Sequence, residues 1–271
     1  MLNNITLGQY IPGASPIHRL DPRTKILLTI GLMVCIFLSK GFIGFAAVFL
    51  FIILCVRTAH LKLRFVLRGL KPIAVIVVFT FLLNVFLQSS GEILWKWWII
   101  TITADGLRTA VFMAMRLLLL VMGSQLLTLT TSPIALTDGL ESLFMPFSRF
   151  GFPAHELAMM MSIALRFIPT LIEETNKITQ AQKARGADFE GRNLIKRARA
   201  MLPLLVPLFV SAFRRADELA LAMEARCYRG GQGRTKMKPL KYGMCDLYAV
   251  LAYALLLGTI IALNHYRIQV L

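Results

Sequence analysis

Two arginines, Arg185 and Arg226, close matching tracts, Ala181-Gln182-Lys183-Ala184-Arg185-Gly186 and Ala222-Met223-Glu224-Ala225-Arg226-Cys227. The shared pattern is A-x-x-A-R. Alanines keep the last turn of a helix narrow enough to enter a groove. An arginine at a helix C-terminus complements the helix dipole and extends a rigid, five-donor fork beyond the end. Gly186 is a natural left-handed cap, and Cys227 is the small residue in the same place of the second tract. A single copy is an ordinary helix stop. Two copies predict two matching plugs for two matching sockets on a partner. The chemistry is therefore recognition, not catalysis. No P-loop, HExxH or GxSxG occurs, and the adjacent Glu173 and Glu174 point to different sides of a helix. The cysteines, Cys35, Cys55, Cys227 and Cys245, form no CxxC and read as small hydrophobes or incidental thiols. His18, His60, His155 and His265 are scattered, so neither a metal site nor a catalytic residue is expected.

The elements that must position the two arginines are set by composition. The chain is 57% hydrophobic, with a mean hydropathy of +0.67, against roughly 45–50% apolar in a soluble domain. Its 30 Lys and Arg outnumber 14 Asp and Glu, for a net charge of +16. The apolar runs are Ile26–Leu38, Phe42–Val56, Pro72–Leu87, Leu107–Leu129 and Leu247–Leu263. At ~1.5 Å per residue the fourth reaches about 34 Å, the third and fifth roughly 24–26 Å, and the first two about 20–22 Å. The first two are divided only by Ser39-Lys40-Gly41 and read as a tight hairpin that borrows flanking residues to cross, a re-entrant pair being the alternative.

Loop charge gives orientation. Arg19, Arg23 and Lys25 precede the first run; Arg57, Lys62, Arg64, Arg68 and Lys71 lie between the second and third. The next loop is nearly neutral and carries Trp95, Trp97 and Trp98 as an interfacial belt. The positive-inside rule then places the N-terminus in the cytoplasm. The expected organisation is transmembrane helices over 1–129, a helical module over 130–243 and a last transmembrane helix over 244–271. From Lys177 to Lys241 that module holds 15 of the 30 basic residues and 5 acidic ones, so it too is cytoplasmic. Leu157, Met161, Ala164, Ile168, Leu171, Ile178 and Ala181 share one helix face, and Phe209, Ala212, Phe213, Ala216, Leu219, Ala220 and Met223 another. A shorter helix over about 134–147 precedes them, and Pro169, Pro203 and Pro207 should kink or interrupt the long helices. Faces this apolar must pack on each other, on lipid or on a partner.

At these residues the chain resembles the transmembrane T component of energy-coupling factor (ECF) transporters, over essentially its whole length. The carriers are Gly8–Gly13 with Ser15–Lys25, then Ala164-Leu165-Arg166-Phe167-Ile168-Pro169 with Ala184-Arg185-Gly186, and Arg214–Ala220 with Glu224-Ala225-Arg226. Cys227 departs from the Gly or Ser usual there. The resemblance implies an all-α polytopic fold of about five transmembrane helices, with coupling helices crossing in an X beneath the membrane of a prokaryotic cell. It implies a non-enzymatic subunit with no cofactor of its own, ATP and Mg being bound by two homologous ATPase subunits. Arg185 and Arg226 would enter the ATPase grooves, flanked by Ala184, Gly186, Ala225 and Cys227. An interchangeable, substrate-binding S component for vitamin or micronutrient uptake would meet the membrane part. The pliable methionines and aromatics Met160, Met161, Phe209, Phe213 and Met223 suit a partner that is held and released.

Arg116, inside the fourth run, must face protein or water. It contacts the hairpin or S component, or it is structurally paired or snorkels. Asp21-Pro22-Arg23 is read as a helix start and Arg166 and Pro169 as structural residues of the first coupling helix. Two rivals stand beside this reading. A permease binding its own substrate needs converging polar residues, and the spans offer Asn84, Arg116 and Gln125. A membrane-anchored nucleic-acid binder needs interleaved aromatics, and the basic module offers Phe189, Phe213 and Tyr228.

Overall fold

The computed structural model describes residues 10–87, 93–97, 100–187, 194–230 and 239–265. Contacts divide the chain into two units, one of Gly8–Gly139 with Leu240–Leu271, the other chiefly Leu140–Pro239.

In the first unit, α1 (Pro16–Arg19) leads into α2 (Pro22–Leu38), α3 (Phe42–Thr58), α4 (Leu63–Leu87), α5 (Ala104–Thr130), the first half of α6 (Pro133–Phe144) and, at the far end of the sequence, α9 (Met244–His265). Asp21 caps α2 by accepting the Arg23 N–H at 2.9 Å, with Pro22 in the first turn. The core joins Ile36 of α2, Phe45, Val48 and Ile52 of α3, Met122 of α5 and Ile260 of α9, all buried. Gly69 lets α4 lie close on α5: a β-carbon there would collide with the Gln125 amide.

Three sequence expectations change here. Arg64, Arg68 and Lys71 are helical, because α4 starts at Leu63 and continues through Pro72. The loop before α5 contains an antiparallel hairpin of β1 (Ile93–Trp97) and β2 (Ile100–Thr103), so a small sheet interrupts an otherwise helical fold. Trp95 and Trp97 lie on β1, and Trp98 falls outside the described residues. By length and composition the helices able to cross a membrane are α4, α5, α7 (Ala154–Ala184) and α9, with α3 a shorter apolar helix. Among the described residues, four helices thus meet that length and composition and α3 falls short of it. Helix α2 carries Arg23 and Lys25 in 17 residues, whereas the N-terminal part of α7 is apolar enough to qualify.

The second unit contains the end of α6, a 3-10 segment (Met145–Phe150), α7 and α8 (Leu194–Ala225). Pro169, Pro203 and Pro207 all lie within these helices and interrupt neither. Each is exposed and costs its helix one N–H donor without ending it. Helices α7 and α8, 31 and 32 residues long, touch over a short stretch, whereas α4 and α5 pack along much of their length. Two long helices with so local a contact cross.

Candidate functional site

The two A-x-x-A-R tracts end in one geometry. On α7 the Gly186 N–H donates to the Lys183 carbonyl at 3.0 Å and the Ala187 N–H to the Gln182 carbonyl at 3.0 Å. On α8 the Cys227 N–H donates to the Glu224 carbonyl at 2.8 Å and the Tyr228 N–H to the Met223 carbonyl at 3.0 Å. Both are Schellman stops, register for register. Gly186 takes φ +86° and Cys227 φ +55°. The smallness of Cys227 is therefore not what the position demands. It demands a left-handed backbone, which a β-carbon resists by roughly 1–2 kcal/mol. Arg185 and Arg226 precede these turns and are exposed, as are Ala184 and Ala225. The second stop is expected to fray first: amide exchange in the last turn should slow in Cys227→Gly and quicken in Gly186→Ala, each by a factor of ~3–5 for a change of about 0.7–1 kcal/mol. Equal exchange in all three proteins would remove the backbone argument.

Between the stops and the helix starts, an ion pair among the described residues joins the two helices. Arg215 Nη2 donates to Glu174 Oε2 at 3.0 Å, both side chains being partly buried. The two residues are 41 apart, the same offset that separates Arg185 from Arg226. Each therefore stands eleven residues before its arginine tip, about 16 Å along the helix. Sequence reading missed this pair, although the repeated offset was available to reveal it.

The less exposed face of α8 cuts across the apolar arc read from the sequence. Leu204, Leu208, Ala212, Arg215, Leu219 and Met223 form the less exposed stripe, recurring in steps of four and three. Phe209 and Phe213 are 60% and 69% exposed. They had been grouped with Leu219 and Met223, but ten residues turn a helix by about 1000°, leaving them ~80° away. On α7, Met160 and Met161 are exposed, and so are Arg166 and Pro169. At the start of α7, His155 Nδ1 lies 2.9 Å from Glu141 Oε1.

The membrane unit has a polar staple that joins sequence-distant segments. The buried Asp246 of α9 accepts the Asp21 N–H at 2.9 Å through Oδ1 and the Gly243 N–H at 2.7 Å through Oδ2. Lys25 Nζ donates to the Thr130 carbonyl at 2.9 Å and the His18 carbonyl at 3.2 Å. The Arg23 guanidinium lies 5.3 Å from the centroid of the Tyr242 ring. Asp246 and Lys25 were not singled out from sequence, since their partners lie 225 and 105 residues away. Arg116 stacks over Phe37 of α2 and Phe45 of α3 at 5.6 and 5.9 Å, tying α5 to the α2–α3 hairpin, and its Nε is buried without a hydrogen bond. Asn84 is spent within its own helix, donating to the Thr80 carbonyl at 2.8 Å.

A polytopic helical membrane component with a crossing pair of arginine-ended helices is the class these features define. The family model for cobalt transport proteins (CbiQ) matches residues 13–237. The energy-coupling factor transporter transmembrane protein EcfT of Thermosediminibacter oceani is 56% identical over 255 residues, 94% of this chain and 96% of that protein. Its namesake from Acidaminococcus fermentans is 56% identical over 246 residues, 91% of each chain. The one from Bacillus subtilis is 48% identical over 257 residues, 94% of this chain and 97% of its own. The chain belongs to this EcfT/CbiQ family: it is an energy-coupling transmembrane component of ECF transporters.

Proposed function

We propose that α7 and α8 couple two homologous ATPase subunits to an interchangeable S component that binds the vitamin or other micronutrient, with the N-terminus and both helices on the cytoplasmic side. The observation that carries this reading is the pair of like Schellman stops with exposed Arg185 and Arg226 at equal distances from the Glu174–Arg215 contact. Equal, rigid arms with the same tip suit two partners of the same kind. The guanidinium, held favourably at the negative end of the helix dipole, makes each tip a cationic probe for an acidic or carbonyl-lined groove. ATP and Mg are bound by the ATPases, and this chain acts without catalysis. The basic segments around α1 and the two helices favour the cytoplasmic side.

The S component covers part of the outward apolar face, at Met160, Met161, Phe209 and Phe213, with Met223 at its edge. The test is subunit stoichiometry in complexes purified from membranes. The unaltered chain should bring down two ATPases and one small membrane protein. Met160→Glu or Met161→Glu would place an unpaired carboxylate in that contact, a cost of several kcal/mol. The expected result is at least tenfold less S component with both ATPases retained. Loss of the ATPases with the S component retained would reverse the two surfaces.

A further inference from the structure

The membrane unit has an open-sided cavity of about 310 Å³ that meets the polar staple only at one end, at Lys25 and Thr130. Four helices line it over the same stretch: Lys25–Leu32 of α2, Phe51–Thr58 of α3, Gly123–Thr130 of α5 and Cys245–Tyr253 of α9. Eight or nine residues of helix, at ~1.5 Å per step, make a slot about 11 Å deep. Pro16, Ile17 and Leu20, in and just beyond α1, close the end at which Lys25 and Thr130 lie. The walls are almost wholly apolar side chains, and the space is about twice that of an apolar cavity known to hold one benzene ring. Leu54 of α3 and Tyr248 of α9, both lining residues, are 57% and 68% exposed. The slot therefore opens sideways between α3 and α9, on surfaces whose other large side chains, such as Leu50 and Leu255, are also exposed and apolar.

We propose that this slot holds one acyl chain of an anionic phospholipid, inserted between α3 and α9. A chain of methylenes matches an elongated, dry cavity that opens towards bilayer hydrocarbon and offers few groups for a polar solute. The sign of the headgroup follows from the closed end. Arg19 and Arg57 are exposed and directly precede Leu20 and Thr58 of the lining, and Lys241 is exposed shortly before Cys245. Lys25 is engaged by two carbonyls and sits beside Asp21 and Asp246, so it is not the headgroup ligand. The outer cations attract an anionic headgroup at roughly 1 kcal/mol per basic residue near the surface.

The experiment uses the full chain in mild detergent, with phosphatidylglycerol and phosphatidylcholine of identical acyl chains as probes. Native mass spectrometry counts bound lipid. The unaltered chain should retain one phosphatidylglycerol, with phosphatidylcholine bound at least tenfold more weakly. Ala252→Trp, which fills the mouth from α9, should abolish retention, and Leu54→Trp fills it from α3 in case the first variant does not fold. Leu255→Trp, on α9 outside the lining, should retain the lipid. Arg57→Gln should weaken phosphatidylglycerol about threefold or more and leave phosphatidylcholine unchanged. Equal lipid counts in the mouth variants and the unaltered chain would overturn the site. Equal binding of the two phospholipids would overturn the anionic assignment.

Discussion

With both helix tips reversed, Arg185→Glu together with Arg226→Glu, the chain is expected to lose both ATPase subunits on purification and to support no import above background. Each reversal replaces a cation at the negative end of a helix dipole by a carboxylate, so dipole and charge then repel each other. It also faces a groove that had been paired with a guanidinium. Truncating one partner of a buried, hydrogen-bonded charge pair costs about 2–5 kcal/mol, and a reversal costs no less. That is a factor of ~30 or more in affinity per tip. The single variants should each weaken assembly and uncouple hydrolysis from import, because one socket remains filled. The two Schellman stops close on backbone bonds alone, so the reversed chain should keep its helices. Circular dichroism and thermal stability are therefore the controls. Normal ATPase yield and normal import by a well-folded double variant would end the plug assignment.

Asp246→Ala is the second large effect, and it concerns the membrane unit itself. Asp246 is 5% exposed and accepts the Asp21 and Gly243 N–H groups at 2.9 and 2.7 Å. Its charge also balances the buried Lys25 ammonium. Removing it leaves the buried Asp21 N–H unpaired, at about 1–3 kcal/mol, frees the more exposed Gly243 N–H, and takes away one of the two carboxylates beside Lys25. The expected loss is about 3–5 kcal/mol, a large share of the stability of a single domain. Folded yield in detergent should fall severalfold and the unfolding temperature by ten degrees or more. Asp246→Asn keeps one acceptor but turns its amide towards the other N–H, so it should fall in between. An alanine variant that melts with the unaltered chain would show that the staple does not hold α9 to the start of α2.

What sequence could reveal divides along physical lines. The tips were legible, since the A-x-x-A-R repeat and Gly186 are local signals and a helix stop is a local event. The cap at Asp21-Pro22 was legible for the same reason. Cys227 was misjudged because side-chain size is written in the sequence and φ is not. The α8 face was half-legible: hydrophobic periodicity finds an apolar arc, but Phe209 and Leu219 are equally apolar. Only the presence of α7 decides which of the two turns inward. Lys25 and Asp246 were illegible as partners because nothing local in the first turn of α9 points to α2. The prolines do not interrupt the helices, for a proline within a long helix removes one hydrogen bond without ending it.

The equal offset of Glu174 and Arg215 from their tips makes the crossing a pair of scissors. Below the pivot each blade is about 16 Å long; above it, towards Ala154 and Leu194, each handle is about 30 Å. A 10° change in the angle at the pivot moves a tip by about 3 Å and the far end of the same helix by about 5 Å, in the opposite sense. The gearing is nearly two to one, and it is the same for both blades. In the proposed complex, partners gripping Arg185 and Arg226 would work at short stroke and high force, and a partner resting on the handles would feel a longer, gentler stroke.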